Sequence, residues 1–254
     1  MTTIGTVDEC WRYPVKSMQG MREEAIVILA GGVEGDRARA VLDVGTGRIL
    51  SAKQLGELLM AHLSGGTIEL PGSGTVDLDD PAVDERLSGW LGRPVRLAAP
   101  AAGEQRSYQM TFDPPDDGAD YYDIPAPTGT FLDLAPVHLL TRGTLDGCAA
   151  RRPELDWDVR RFRPNLVLEV DGEPFAENRW CGRSILIGDE VRLDVMQATV
   201  RCAMPLRAQP GLVRQPGLFA ALNQLNPSLP NHLGVYAQVS TPGRVSEGDT
   251  VSLD

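Results

Sequence analysis

The sequence of 254 residues lacks a long hydrophobic run. It contains neither the apolar core of a secretory signal peptide nor a stretch of about 18 consecutive apolar residues, which a membrane-spanning helix requires. With 42% hydrophobic and 23% charged residues, the composition is that of an ordinary globular protein. We therefore expect a soluble, cytoplasmic protein that has no membrane partner.

Cysteine is scarce, and the four cysteines are scattered along the chain. Cys10, Cys148, Cys181 and Cys202 form no C-x-x-C pair. This spacing excludes the usual structural zinc sites and ferredoxin-type iron–sulfur clusters. In a reducing cytosol we expect all four side chains to be free thiols.

Positive charge is in deficit. The chain has 24 Lys and Arg residues against 35 Asp and Glu residues, which gives a formal net charge of −11 at pH 7. Proteins that bind duplex nucleic acid neutralise its phosphates with a basic face, so we expect no nucleic-acid partner. An anionic ligand would need a local cluster of cations on this acidic chain.

Short strand patterns dominate the first half of the sequence. We predict strands from Thr2 to Tyr13 and over "REEAIVIL", and a hairpin in "ARAVLDVGTGRILSAKQ" that turns at Gly45-Thr46-Gly47. Two helices are predicted next. The first ends at Gly65-Gly66 and has a face made of Leu55, Leu58, Leu59 and His62. The second runs from Val83 to Leu91 between Asp80-Pro81 and Gly92.

The second half begins with a stretch rich in Pro, Asp, Ala and Gly, residues 99–130, which we interpret as a connector that covers a site with part of its length. Strands are predicted in "RPNLVLEV", "SILIGDEVRLDV", "GVYAQVSTPG" and "EGDTVSLD", and one helix is predicted to carry Leu218, Ala221, Leu222 and Leu225. Many short strands and few helices indicate a mainly β, barrel-like fold with α-helical decoration.

One predicted strand loses its pattern just before a cysteine. In "VRLDVMQATVRCAMPL", Val191, Leu193 and Val195 alternate with polar residues, but the alternation stops between Gln197 and Val200. Arg201 and Cys202 follow side by side. A lone cysteine in such a place is usually a small buried hydrophobic residue, so the pattern alone does not assign it a function.

Cations are concentrated in "RRFRPN". Pro164 favours an extended backbone at the residue before it, which would place Arg161 and Arg163 on one face and Phe162 on the other. Two guanidinium groups on one face suit a phosphate or a carboxylate, although ion pairs with the chain's own acidic residues explain them equally well.

A second candidate for anion binding is "HLLTRGTL". An apolar run ends there at Thr141, and a short helix is predicted to begin near Thr144. Free backbone N–H groups and hydroxyls at a helix start bind oxyanions, but simple N-capping is the commoner role.

Seven motifs occur in an order and with a spacing that resemble the MOSC family, named for the C-terminal domain of molybdenum-cofactor sulfurases. They are "YPVKS", "GDR", "PVHLLT", "RFRPN", "RC", "LGVY" and "GRVSEGD". The resemblance implies a smaller α+β, β-barrel-like N-terminal module in residues 1–98, a connector in 99–130 and a β-barrel-like MOSC domain in 131–254.

The resemblance also implies a cofactor and its ligands. Members of the family bind a molybdenum pterin, and Cys202 matches the cysteine whose sulfur ligates molybdenum. Lys16, Ser17 and Arg37 match positions expected to hold the pterin phosphate. The remaining cofactor-binding positions implied for this chain are Thr141, Thr144, Arg161, Arg163, Asn165, Arg201 and Tyr236.

Other roles remain open for several of these residues. Asn165 could hydrogen-bond a turn, and Tyr236 could pack within its strand. His62 and His138 are interpreted as packed core histidines. The other three cysteines have no motif around them, and we interpret them as structural.

Three functions fit the resemblance. The first is a molybdenum-dependent oxidoreductase that reduces N-hydroxylated small molecules. The sequence contains no ferredoxin-like domain, so the electrons would come from a separate protein of the ferredoxin or flavoprotein type. The alternatives are a sulfur-transfer module that carries a persulfide on Cys202 and a non-catalytic carrier of the molybdenum cofactor. An association with pyridoxal phosphate binding also comes with the family.

Overall fold

A computed structural model describes residues 1–111 and 118–254. Part of the predicted connector, residues 112–117, lies outside the described residues. The first half of the chain forms β1 (Thr2–Arg12), β2 (Met21–Glu23), β3 (Ala25–Leu29), β4 (Gly32–Val33), β5 (Ala40–Asp43), β6 (His62–Ser64), β7 (Thr67–Leu70), β8 (Gly74–Asp77), α1 (Val83–Leu91) and β9 (Val95–Ala98).

The second half continues with β10 (Ser107–Met110), β11 (Tyr122–Pro125), β12 (Val137–Thr141), α2 (Arg142–Arg151), α3 (Val159–Phe162), β13 (Leu166–Val170), β14 (Ser184–Ile187), β15 (Val191–Val200), α4 (Leu218–Leu225), β16 (His232–Thr241), β17 (Gly243–Ser246) and β18 (Thr250–Leu253). The four α-helices among the described residues are short. Within the described ranges, no helix is long and apolar enough to cross a membrane.

Seven strands close into a barrel. Their order is β13-β12-β16-β15-β14-β18-β1, and β1 pairs in turn with β13, while β2 pairs with the last residues of β1, beyond those that pair with β18. Alternate residues point inward, so Val7, Leu168, Ile187, Leu193 and Val235 are buried in one core. The predicted mainly β, barrel-like fold with helical decoration is confirmed.

The first strand of the chain belongs to this barrel. β1 pairs antiparallel with β13 and with β18, and β3 pairs with β17. The predicted end of the N-terminal module at residue 98 therefore divides two sheets, because β1 and β3 lie before it and the strands that they pair with lie after it. The rest of the first half forms a β5–β9 pair, the β6-β7-β8 meander and α1, which enclose a second core.

Two predictions for the first half are wrong. The predicted helix around Leu58 is only a 3₁₀ turn, Gly56–Met60, after which His62 begins β6. Gly65 and Gly66 both have positive φ and make the tight turn between β6 and β7 rather than a helix end. The second strand of the predicted hairpin is also missing. The chain does turn at Gly45-Thr46-Gly47 and returns with backbone hydrogen bonds from Asp43 N to Arg48 O and from Leu50 N to Val41 O, but the returning segment forms only an isolated bridge with β5.

The helix α1 and the end of β15 were better indicated by the sequence. Gly92 ends α1 with a φ of 63°, and the Asp80 carboxylate accepts a hydrogen bond from the backbone N–H of Ala82. After Val195, the strand β15 continues to Val200 through two of its three register irregularities, which explain its lost alternation. Cys202 lies just beyond the strand end.

Gly5 is expected to be essential for closing the barrel. A Cβ atom at this position would lie 1.9 Å from the carbonyl oxygen of Glu169 on β13. We expect Gly5→Ala to lower the free energy of unfolding by about 1–3 kcal/mol, because the two strands must separate. Gly31→Ala is the control, since a Cβ there meets no atom within 4 Å. Urea unfolding measures both, and equal stability would contradict the expectation.

Candidate functional site

A cationic cleft is lined by residues of both halves of the chain and spans about 670 Å³, including the solvent at its opening. Residues from distant segments line it. The predicted site residues that it brings together are Lys16, Ser17, Arg37, Arg161, Arg163, Asn165, Arg201, Cys202 and Tyr236. Thr141 and Thr144 line another part of the molecule.

Three residues of the cationic cleft adopt a left-handed backbone. The φ angles of Ser17, Arg37 and Arg163 are 69°, 48° and 56°. Residues with side chains adopt this conformation at a cost of about 1–3 kcal/mol each, and such residues cluster at functional sites. Local hydrogen bonds hold them, since Arg37 N donates to Tyr13 O at 2.7 Å and Arg163 N donates to Val159 O at 3.1 Å.

The extended backbone predicted for "RRFRPN" is wrong. Asp158 caps a helical turn by accepting a hydrogen bond from Arg160 N at 2.8 Å, so residues 159–162 form α3. Arg161 is fully buried, and its guanidinium donates to the carbonyl oxygens of Pro205, Arg207 and Val213. Arg161 therefore holds the segment that follows Cys202 in place. Arg163, two residues further on, lines the cleft.

Arg163 and Arg201 are buried cations with few partners. Arg163 Nη1 donates to Met18 O at 2.6 Å, and the guanidinium lies 4.2 Å from the centroid of the Tyr13 ring. Arg201 Nη2 donates to Phe162 O at 2.6 Å. Among the described residues, neither arginine forms an ion pair with a carboxylate, and Arg163 Nη2 and Arg201 Nε have no hydrogen-bond partner.

This arrangement favours an anion. Burial, together with the nearby Arg37 charge, lowers the pKa of Arg163 to about 10. Burial also lowers the pKa of Arg201. A buried charge without a counter-charge is costly, and an anion that reaches the unpartnered nitrogens would remove that cost.

Two site residues that the sequence analysis missed, Lys53 and Asp133, form a charge cluster with Lys16. The Asp133 carboxylate accepts hydrogen bonds from Lys16 Nζ and, at 2.8 Å, from Lys53 Nζ. Lys16 Nζ also donates to Phe131 O at 2.6 Å. No motif surrounds Lys53 or Asp133, so only their tertiary placement reveals the cluster.

One carboxylate shared by two ammonium groups leaves the cluster with a net positive charge. The two lysines overcome the effect of burial and hold the pKa of Asp133 well below its usual value. Burial lowers the pKa of Lys16 even though Asp133 opposes this shift, whereas Asp133 outweighs burial at Lys53 and raises its pKa. A further negative charge near Lys16 would balance the remaining positive charge of the cluster.

Cys202 is the only one of the four cysteines that lines the cationic cleft, as far as the described residues show, and it is partly exposed there. Cys10 and Cys148 are buried, and burial raises the pKa of each thiol to about 12. Cys181 is exposed on the surface. Within the described chain, no group of three or more His, Cys, Asp or Glu side chains could hold a metal ion. A metal at Cys202 would thus need donor atoms from its own cofactor.

The predicted anion-binding position at Thr141 and Thr144 is occupied by a carboxyl group of the protein itself. Both hydroxyls donate to Oε2 of the fully buried Glu177, at 3.0 and 2.8 Å. Thr141 also accepts a hydrogen bond from Thr144 N and so caps α2. The N-cap alternative is correct here, and an internal carboxyl occupies the place of an external anion.

His138, Asn165 and Tyr236 form one wall of the cationic cleft. Asn165 Oδ1 accepts from His138 N at 3.1 Å, which positions the strand β12 against the segment before β13. Burial and the Arg201 charge lower the pKa of His138 well below its usual value, so its imidazole is neutral at pH 7. Burial raises the pKa of Tyr236 to about 12, and its phenol stays protonated.

The fold and the site together define a class: a barrel-containing protein with a cationic cleft that is lined by both halves of the chain and has Cys202 at its wall. Residues 127–252 match the family described as "MOSC domain", and residues 4–88 match the family described as "MOSC N-terminal beta barrel domain". The chain belongs to the MOSC domain family.

A curated relative and solved structures resemble the whole chain or a large part of it. The chain is 25% identical to mitochondrial amidoxime-reducing component 1 of Homo sapiens over 297 residues, which cover 98% of this chain and 83% of that protein. The YuaD protein from Bacillus subtilis is 10% identical with a TM-score of 0.46, over 98% of this chain and 94% of that one. YiiM from Geobacillus stearothermophilus is 15% identical with a TM-score of 0.37, over 60% and 73%.

Asp133 is expected to stabilise the protein in a pH-dependent way. Asp133→Asn should lower the free energy of unfolding at pH 7 by about 2 kcal/mol, because it leaves Lys16 and Lys53 without their shared carboxylate. The folded-state pKa of Asp133 lies below its unfolded value, so this contribution is complete above about pH 4 and is lost as the pH falls further.

Urea unfolding between pH 7 and pH 3 tests this expectation. The difference between wild type and Asp133→Asn should shrink below about pH 4. Asp79→Asn is the matched control, because the Asp79 side chain is 93% exposed. A difference that is constant over this pH range would contradict the assigned charge cluster.

Proposed function

We propose that the cationic cleft binds the pterin of a molybdenum cofactor and that the protein uses it to reduce N-hydroxylated small molecules. The observation that carries this proposal is the pair of buried, unpartnered nitrogens, Arg163 Nη2 and Arg201 Nε, which lie with Cys202 in one cleft. These groups fit an anionic organic cofactor that carries its own metal.

The residues of the cleft divide into two groups. Lys16, Ser17 and Arg37 lie on the first-half side, where an ammonium, a hydroxyl and a guanidinium suit a phosphate. Arg163, Asn165, Arg201 and Tyr236 offer hydrogen-bond donors and acceptors for the pterin. Cys202 would provide a soft sulfur ligand, which suits a metal of this kind.

When bound, the cofactor would supply two-electron redox chemistry that no side chain can provide. Reduction of an N-hydroxylated group breaks the N–O bond, gives the nitrogen a hydrogen and releases the oxygen as water, so it consumes two electrons and two protons. The electrons would come from a separate electron-transfer protein of the ferredoxin or flavoprotein type. The similarity to a protein named as an amidoxime-reducing component supports this reaction.

The chain's own contribution is binding, charge and orientation. The buried arginines keep their charge next to a neutral His138, and the protonated Tyr236 phenol remains a hydrogen-bond donor. The left-handed backbone at Ser17 and Arg163 fixes the direction of both residues before any ligand arrives.

Metal content tests the cofactor assignment. Protein from a host that makes the cofactor should carry molybdenum at a substantial fraction of one atom per chain. Arg163→Ala should lower that content several-fold, because Arg163 is buried in the cleft, whereas Arg151→Ala should not, because Arg151 is exposed outside it. Molybdenum content indistinguishable from that of protein made in a pterin-deficient host would overturn the assignment.

Replacing Cys202 tests binding of the metal separately from binding of the pterin. Cys202→Ser should stay folded and keep its pterin, seen as fluorescence after oxidative release, but lose essentially all reduction of N-hydroxylated substrates with an artificial electron donor. The exposed Cys181→Ser should keep both properties. Wild-type turnover that survives the Cys202 change would contradict the role of this sulfur, and full molybdenum loading without any turnover would favour a carrier.

A further inference from the structure

A second, smaller cavity adjoins the cationic cleft at Cys202 and spans about 370 Å³, including the solvent at its opening. Its own walls are Lys53, Tyr108, Met110 and Val200, and it shares Asp133, Leu134, Cys202 and Tyr236 with the cationic cleft. We name this cavity the Tyr108 chamber. Cys202 therefore lines two adjoining cavities whose other walls differ in chemistry.

The roof of the Tyr108 chamber is the hairpin formed by β10 and β11, within the predicted connector. Successive residues of a strand point to opposite faces. Tyr108 and Met110 line the chamber, whereas Ser107 and Gln109 line a groove on the outer face of the same strand. The Tyr121 hydroxyl donates to the carbonyl oxygen of Lys53 at 2.9 Å and holds the hairpin over the chamber.

The chemistry of the Tyr108 chamber differs from that of the cationic cleft. Its cation, Lys53, is balanced by Asp133 at 2.8 Å and lies 4.5 Å from the centroid of the Tyr108 ring. The rest of the lining that the structure describes is aromatic, aliphatic or sulfur-containing: Tyr108, Met110, Leu134, Val200, Cys202 and Tyr236. Lys53 Nζ has three N–H groups, of which the Asp133 contact uses one.

Such a chamber suits a small, neutral molecule with a flat apolar part and a hydroxyl group. The ring face of Tyr108 can stack on the flat part, and Lys53 can donate a hydrogen bond to the hydroxyl oxygen. A multiply charged anion would bind better in the cationic cleft, where Arg163 and Arg201 have no carboxylate partner among the described residues.

We propose that the Tyr108 chamber is the substrate pocket, and that Tyr108 and Met110 select neutral N-hydroxylated molecules that carry a flat, apolar group. The identity of the substrate class rests on the proposed function, whereas the location of the pocket rests on the chamber itself. Tyr108 stacks on the apolar group, Lys53 holds the hydroxyl oxygen, and the N–O bond lies beside Cys202. The hairpin is thus the element that sets substrate preference.

Two amidoximes serve as probes, benzamidoxime with a flat ring and acetamidoxime with a methyl group. Equilibrium binding by calorimetry needs no turnover, and KM is measured separately with an artificial electron donor. Tyr108→Ala should weaken benzamidoxime binding about tenfold and raise its KM similarly, because the stacking face is lost, while acetamidoxime changes much less. Molybdenum content should be that of wild type.

Gln109→Ala is the matched control, since Gln109 lies on the same strand but faces outward. It should bind both amidoximes as wild type does. Tyr108→Leu provides a second variant that keeps the apolar volume but removes the ring, so a folding defect in Tyr108→Ala does not decide the result. Thermal unfolding of all variants verifies that they are folded.

The outcomes separate the two proposals. Benzamidoxime that binds wild type and folded Tyr108 variants equally well, or that does not bind wild type at all, overturns the substrate pocket. Reduction by wild type in that case still supports the proposed function. Binding that depends on Tyr108 in a protein that reduces neither amidoxime supports the pocket and overturns the reductase.

Discussion

The pairing of β1 with β13 is the constraint on which the site depends. Cys10 lies opposite Leu166, and Trp11 N donates to Asn165 O at 2.8 Å, so the end of β1 meets the start of β13. The segments that follow β1 and precede β13 are thereby brought together. Arg163 Nη1 then reaches Met18 O at 2.6 Å, across 145 positions of sequence. Closure of the barrel therefore brings the two sides of the cationic cleft together.

Closure of the barrel also brings energetically unfavourable features together, namely buried cations and left-handed backbone. Tyr13 lies beneath two guanidinium groups, with ring-centroid distances of 4.2 Å to Arg163 and 4.6 Å to Arg37. Cation–π contacts and carbonyl acceptors offset part of the cost of burying these charges, but left-handed backbone adds about 1–3 kcal/mol for each residue concerned. The barrel core stabilises this strained, charged arrangement. Because the groups are already ordered, a bound anion would relieve the repulsion without first paying to organise its site.

Sequence analysis predicted the elements whose signals are local. The barrel strands and α1 follow from alternation, glycine positions and capping, and most of the predicted residues that line the cationic cleft stand in motifs that the family resemblance supplied. The sequence analysis failed where contacts with distant segments determine the structure. The 3₁₀ turn before His62 has the apolar spacing of a short helix, and Glu177 fills the predicted anion-binding position at α2 from 33 positions beyond Thr144. Lys53 and Asp133 stand in no motif, and only folding places them at 2.8 Å.

The connector illustrates why composition was a poor guide to its role. Its Pro, Gly and Asp content favours loops, yet residues 107–110 and 122–125 pair as β10 and β11. Lys53 joins this hairpin to the site: its carbonyl oxygen accepts from Tyr121 and Arg207, and its ammonium group binds Asp133. The position of the hairpin and the charge cluster beside Cys202 are therefore mechanically linked. Side chains on the inner face of β10 can change what fits beside the cysteine, while the arginines of the cationic cleft, held by other segments, keep their places.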